Sequence, residues 1–277
     1  MSFIEPLDPV ALRAALAGTR FTAQLHHFPT VESTNTALLE AAANGAPEGT
    51  IYLADAQIQG RGRGGHAWHS SPGDGLYLSV LARPALPLRE ALWISLATGL
   101  AMKSGIKTAT GLELDIRWPN DLLLAQPTGA DKKVGGILVE TAVNPGSDAL
   151  LRYAVIGIGL NMNHESFPPE LDAIATSLRI AAGEQQSRNA LLIAILRALD
   201  FELTQLETHR PDLQQRSDLL ARFAAASTWV RGKRVHVPER GGYTGITAGL
   251  DPGGYLLVDA DDGIQRTVLS GGVRDER

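Results

Sequence analysis

The sequence predicts an α+β fold. Strands and helices are interleaved as far as Thr228, and a small all-β unit follows. Three observations carry this. A glycine- and arginine-rich stretch, Gly60 to Trp68, lies between two strand-like runs. Two long segments, Arg89 to Lys107 and Ser187 to Glu207, carry apolar residues at helical spacing. From Trp229 onward, short β-rich runs alternate with Gly, Pro and Asp turns, the spacing of a small barrel. The expected division is therefore 1–228 and 229–277.

In chain order, Asp8 to Gly18 predicts a short helix, with Asp8 as cap, Pro9 at its first position and Gly18 closing it. Thr36 to Ala43 predicts a second helix, with Ser33 or Thr34 as N-cap. Such an N-terminus also suits an anion or a polar head group. Thr50 to Ile58 and Leu76 to Ala82 read as strands. Within the Arg89 helix, Trp93 and Met102 read as core. Leu114 to Leu124 reads as two short strands around the turn Trp118-Pro119-Asn120-Asp121. That turn holds an amide and a carboxylate on rigid supports.

Lys132-Lys133 opens a strand from Val134 to Val143. Paired lysines there are ordinarily a solvated edge, but Gly135-Gly136 inside the strand marks close approach of a ligand or another backbone. Leu151 to Leu160 is a buried strand ending in Asn161-Met162-Asn163. Helices are expected over Leu171 to Ala181, Ser187 to Glu207 and Pro211 to Ala226. In the tail, strands are expected over Val235 to Val237, Tyr243 to Ala248, Tyr255 to Val258 and Ile264 to Leu269.

The Gly60 to Trp68 loop offers free backbone N–H groups and two guanidinium forks, which suits a carboxylate or phosphate. Gly60, Gly62 and Gly65 formally match the dinucleotide-binding spacing. The following Ser-Ser-Pro-Gly-Asp-Gly cannot open a helix, so that reading fails. A P-loop fails too, because His66 follows where a lysine is needed. Taken alone, a mobile hairpin loop explains the stretch equally well.

The chain has 277 residues, no cysteine and a net charge of -5. A chain of this size buries about three quarters of its unfolded surface and needs no covalent staples. Disulfides, thiolate metal sites and cysteine nucleophiles are excluded. The acidic balance argues against a general nucleic-acid binder. No apolar run reaches membrane-spanning length, and MSFIEPLDPV has no signal-peptide character. A cytoplasmic protein is the expectation.

With these motifs laid out, the chain resembles the biotin protein ligases. The resemblance rests on ESTN at Glu32 to Asn35, GRGRGGHAW at Gly60 to Trp68, RWPND at Arg117 to Asp121, KKVGGILVE at Lys132 to Glu140 and GIGLNMN at Gly157 to Asn163. Each motif alone is weak; five in the family's order are strong. The resemblance implies a mixed β-sheet catalytic domain, related to class II aminoacyl-tRNA synthetase cores and lipoyl ligases, with a C-terminal SH3-like barrel. It implies a two-step reaction. Biotin and ATP, with Mg²⁺, give biotinyl-5′-AMP and pyrophosphate, and a lysine of a biotin carboxyl carrier domain, from acetyl-CoA carboxylase or a related carboxylase, then takes the biotinyl group. Some members also carry a DNA-reading helix-turn-helix. Only one helix precedes Ser33, so the short class without DNA binding is expected. The family allows a homodimer through a sheet edge.

By the resemblance, Ser33, Thr34, Asn35 and Gln57 hold biotin or its neighbourhood. Arg61, Gly62 and Arg63 close over biotin and phosphate. Lys133 reaches the reacting carboxylate and α-phosphate, and Gly135 and Gly136 let the adenylate lie against the strand. Asn120 and Asn161 orient phosphate or metal, and Trp68 packs the loop beside ATP. Lys133, Arg63 and Asp121 form the expected catalytic set. Asp121 is a candidate for orienting the incoming lysine, with a structural turn carboxylate as the equal alternative. No metal ligands are assigned. The loop departs from the family at Gly64, His66 and Ala67, where further basic residues are common, which leaves the role of His66 open. The competing readings are a lipoate or octanoate ligase on the same fold and a non-catalytic biotin-responsive binder. Polar Ser33, Thr34 and Gln57 favour biotin, and Lys133 with both loop arginines favours catalysis.

Overall fold

Period-two alternation decides what the central strands show to each side. A computed structural model describes residues 5–22, 24–127, 129–144, 150–208 and 213–276. In chain order its elements are α1 (Pro9–Ala15), β1 (Leu25–Phe28), α2 (Thr34–Ala43), β2 (Ile51–Ala54), β3 (Gly75–Ala82), α3 (Ala91–Thr110), β4 (Asp115–Arg117), β5 (Asp121–Leu124), β6 (Lys132–Val143) and β7 (Leu151–Asn161). Then follow α4 (Pro169–Asp172), α5 (Leu178–Ala182), α6 (Arg188–Thr208), α7 (Leu213–Ala226), β8 (Arg231–Val237), β9 (Tyr243–Leu250), β10 (Leu256–Ala260), β11 (Gln265–Val268) and β12 (Arg274–Asp275).

Seven strands form one mixed sheet in the order β1-β2-β3-β7-β6-β5-β4. β1 and β2 are parallel, and the other neighbours are antiparallel. β3 is buried along its whole length because both of its faces are covered. One face carries Leu76, Leu78 and Val80 into the main core with Ile94, Leu96 and Met102 of α3 and Leu192, Ile195 and Leu199 of α6. Each such buried aliphatic side chain contributes roughly 1.5–3 kcal/mol. On the other face, Leu81 packs with Leu38 and Ala42 of α2 and with Tyr153 and Val155 of β7. Trp93 and Met102 are core residues, as expected.

The N-caps follow the sequence, but α1, expected to close at Gly18, ends at Ala15 with Leu16 as its C-cap. Asp8 accepts from the Val10 and Ala11 amides, with Pro9 at the first position of α1. Ser33 caps α2, accepting from Thr36 N. Three further expectations need correcting. The strand expected to reach Ile58 ends at Ala54; beyond it the backbone follows residues 31 and 32, with Ile58 N on the Val31 carbonyl and Gln59 N on the Glu32 carbonyl. The single helix expected over Leu171 to Ala181 is instead α4 and α5 separated by Ala173 to Ser177. That segment spends its backbone on β6: Lys133 N donates to the Ile174 carbonyl, and Thr176 N donates to the Lys133 carbonyl. Nor is β6 an edge, since it lies between β5 and β7. Pro211, the expected start of α7, falls outside the described residues.

The tail strands form a separate antiparallel sheet in the order β11-β10-β9-β8-β12. It is not loosely tethered. Leu256, Val258, Val268 and Trp229 belong to the same buried cluster as Leu96 and Trp118, and the Trp118 indole donates to the Gly254 carbonyl at 2.9 Å. Among the described residues no helix is long and apolar enough to cross a membrane.

Candidate active site

The cleft is a trough on the α2 side of the large sheet. Register puts Tyr77, Ser79 and Leu81 of β3 opposite Gly159, Gly157 and Val155 of β7, and these opposite Gly136, Leu138 and Glu140 of β6. These residues therefore share one face. Two glycines in the middle strand supply no side chain, so other elements fill the row. A Cβ at Gly157 would collide with Asn35 Oδ1, and one at Gly159 with the Trp68 indole. The glycines thus admit an amide from α2 and a ring from the loop onto the sheet surface. The resulting cleft encloses about 430 Å³, including its open mouth.

A hydrogen-bonded polar floor runs beneath it. Thr34 N and Oγ1 donate to Gln57 Oε1 at 2.9 and 3.1 Å, and Gln57 Nε2 donates to Ser70 Oγ at 3.0 Å. Ser79 Oγ lies 2.8 Å from Thr34 Oγ1 and 2.7 Å from Asn35 Oδ1. Asn35 Nδ2 donates to Glu140 Oε2 at 2.8 Å. Ser33, Thr34, Asn35 and Ser79 are all buried, so this network is costly unless its members are satisfied. Ser33 both caps α2 and lines the cleft.

Three cations reach the cleft from two elements. The loop closes as a small hairpin, with Trp68 N on the Gly60 carbonyl at 2.8 Å and Gly62 N on the His66 carbonyl at 2.7 Å. From it, Arg61 grips Glu140 with both terminal nitrogens, at 2.8 and 3.2 Å. Arg63 is half-buried beside Pro119 and Gly271 of the tail; a Cβ at Gly271 would lie 2.7 Å from its Nη1. Burial pulls the Arg63 guanidinium below the usual arginine range, with Asp121 and Glu239 opposing the shift. From β6, the Lys133 ammonium sits 2.5 Å from Asp121 Oδ1 and over the Trp68 ring, 5.4 Å from its centroid. Arg63 Nη1 and Trp68 Nε1 are buried with no hydrogen-bond partner among the described residues. Two unpartnered donors beside a polar trough mark where an acceptor belongs.

Asp121 is held on both sides, by Lys133 and by Arg117 Nη2 at 2.6 Å. Burial raises its pKa, but the two cations outweigh this and hold it below the ordinary carboxylate range.

Of the residues expected from the sequence, Ser33, Thr34, Asn35, Gln57, Arg61, Gly62, Arg63, Trp68, Asn120, Lys133 and Gly136 all line the cleft. Three expected residues do not. Alternation turns Gly135 to the opposite face, where a Cβ would meet Leu122. Asn161 is buried with its amide on the Thr176 carbonyl at 3.1 Å. Asp121 stands behind Lys133 as its partner. Asn120 lines the cleft while its amide secures the Ile137 carbonyl at 3.1 Å. The sequence reading missed Ser79, Leu138, Gly157, Gly159 and the partner Glu140. A lone polar residue inside LYLSVLA was the available signal for Ser79.

The profile of the Biotin/lipoate A/B protein ligase family matches residues 27–161. A Mycobacterium tuberculosis biotin--[acetyl-CoA-carboxylase] ligase is 33% identical over 275 residues, 96% of this chain and 94% of that protein. The chain belongs to the biotin protein ligases of that family. The bifunctional ligase/repressor BirA of Bacillus spizizenii is 35% identical over 239 residues, 85% of this chain and 69% of BirA. Among solved structures, the Aquifex aeolicus biotin protein ligase in complex with biotin and ATP superposes with a TM-score of 0.75 at 27% identity, covering 91% of this chain and 99% of that one. The expected α+β architecture with a second small sheet is the one described above.

Proposed function

We propose that this chain activates biotin with ATP as biotinyl-5′-AMP and transfers it to a lysine of a biotin carboxyl carrier domain. The observation that carries this reading is the convergence of Arg61, Arg63 and Lys133 on one polar-floored trough, with Arg63 Nη1 and Trp68 Nε1 left without partners among the described residues. Bringing a carboxylate against a phosphate opposes like charges, roughly 4 kcal/mol per unit pair at about 4 Å and an effective dielectric near 20. Arg63, joined by Lys133 and Arg61 as they turn from Asp121 and Glu140, offsets the repulsion. The carboxylate oxygen attacks the α-phosphorus, pyrophosphate leaves, and a neutral lysine amine of the carrier then attacks the mixed anhydride and releases AMP. No enzyme nucleophile is required; alignment and charge carry the rate.

In this reading Lys133 and Arg63 bind the reacting carboxylate and α-phosphate. Ser33, Thr34, Asn35, Gln57 and Ser79 meet the ureido ring, whose N–H and C=O groups match a floor of hydroxyls and amides. A plain acyl tail would leave those groups unpaired, which supports biotin over lipoate or octanoate. Asp121 serves to hold Lys133 in place. Among the described residues no three His, Asp or Glu side chains group to hold a metal ion. The cleft itself therefore gives Mg²⁺ no cage; the ion would arrive on the phosphates of ATP. The boundary near Thr228, with a tail that seats Arg63, belongs to the same proposal.

The test is pyrophosphate release with ATP and biotin, lipoate or octanoate in turn, followed by labelling of a carrier domain and of its acceptor Lys→Ala variant. Release with biotin alone and labelling of the intact carrier only are expected. Release driven by octanoate or lipoate would reassign the substrate.

A further inference from the structure

Two of the three cleft cations are neutralised by the protein's own carboxylates: Lys133 by Asp121 and Arg61 by Glu140. The two pairs are not equivalent. Asp121 keeps Arg117 if Lys133 turns away. Glu140 has one further hydrogen bond, from the Asn35 amide, and its side chain is a quarter exposed. Water can therefore rehydrate it when Arg61 leaves. Arg61 presents its bidentate edge to Glu140, the same edge that best receives a ligand carboxylate or phosphate. It also donates to Thr36 Oγ1 at 3.3 Å, so the contact ties the loop to α2 as well as to β6.

We infer that Glu140 is an internal stand-in for the ligand's anion, holding Arg61 and its loop over the cleft until a ligand carboxylate or phosphate displaces it. This rests on the ligase reading for the identity of the anion, but not for the latch itself. The chain Gln57, Thr34, Ser79, Asn35, Glu140, Arg61 is continuous in hydrogen bonds. A head group that engages the floor therefore acts on the residues that hold the latch. The thermodynamic consequence is specific. Ligand binding must open the pair, so the latch weakens apparent affinity by the factor by which it favours the latched state. Removing it should release the free loop and tighten binding together. A residue that merely positions Arg61 for the ligand would release the loop and weaken binding.

The test is Glu140→Gln, which keeps shape and the hydrogen bond from Asn35 while removing the charge. Trypsin cleavage after Arg63, without ligand, should be about 2- to 5-fold faster than in wild type, the range set by a partly exposed ion pair. Calorimetric titration with biotin and, separately, with ATP should show a Kd lower by a similar factor for whichever compound supplies the anion. In an Arg61→Gln background, Glu140→Gln should add nothing to cleavage. Unchanged cleavage without ligand, an undiminished effect in that background, or weaker binding of both compounds would overturn the inference. Failure of wild type to bind either compound would overturn the ligase reading, while the cleavage arm still decides the latch.

Discussion

Replacing Lys133 by alanine removes two interactions at once. Toward the ligand, it deletes a charge-assisted hydrogen bond worth about 1.5–3 kcal/mol. Expressed mainly in the transition state, that slows adenylate formation roughly 10- to 100-fold. Toward the protein, it strips Asp121 of its partner at 2.5 Å. Read from the sequence alone, a lysine at a strand start should be neutral for stability, and the structure corrects this. Breaking a fully buried pair costs about 3–5 kcal/mol. Lys133 is a third exposed and Arg117 remains on Asp121, so a loss of about 1–2 kcal/mol is expected, or roughly 2–6 °C in Tm. Lys132→Ala is the control: its ammonium donates to the exposed Asp172 carbonyl. The assay is single-turnover pyrophosphate release alongside melting curves. Equal rates for the two variants would refute the assignment. A Lys133→Ala protein as stable as Lys132→Ala would refute the ion-pair argument.

Gly159→Ala puts a methyl group against the Trp68 indole; it should change tryptophan fluorescence and cut adenylate formation by tenfold or more, and unaltered emission and rate would sink the close-approach argument. His164 is buried and stacked on Phe167 at 4.8 Å. Burial pushes its pKa down to about 4, with Asp74 opposing and His69 assisting. Below its ordinary value the unfolded chain therefore takes the proton first, and stability should fall as pH drops from about 6.5 to about 4, by up to roughly 3 kcal/mol. Melting curves across that range should show a shallower slope for His164→Phe, and parallel slopes would discard the assignment. Ending the chain at Thr228 should lower both activity and Tm, because it uncovers Trp118 and Leu96 and removes the Gly271 turn beside Arg63; an equally stable, fully active truncation would contradict the shared core.

The cleft was legible in the sequence where chemistry and backbone need coincided. Glycines and arginines in one loop, paired glycines in a strand and Ser-Thr before a helix each have few structural uses. What stayed hidden depended on register across the sheet. Gly135 and Gly136 look alike in sequence, and only the alternation of β6 sends one into the cleft and the other against Leu122. Ser79, Gly157 and Glu140 meet Asn35 from three different strands, and no local pattern brings them together. The helix expected at Leu171 to Ala181 failed for a similar reason. Its apolar spacing was helical, but pairing with Lys133 claimed the backbone of Ile174 and Thr176.

The central claim is that this cleft joins biotin's carboxylate to the α-phosphate of ATP. Its most direct measurement is mass spectrometry of the small molecules that the protein retains after incubation with biotin, ATP and Mg²⁺ and no carrier. Wild type should retain biotinyl-5′-AMP in near-equimolar amount, and Lys133→Ala far less. Bound biotin and ATP with no mixed anhydride, under conditions where both are retained, would contradict it.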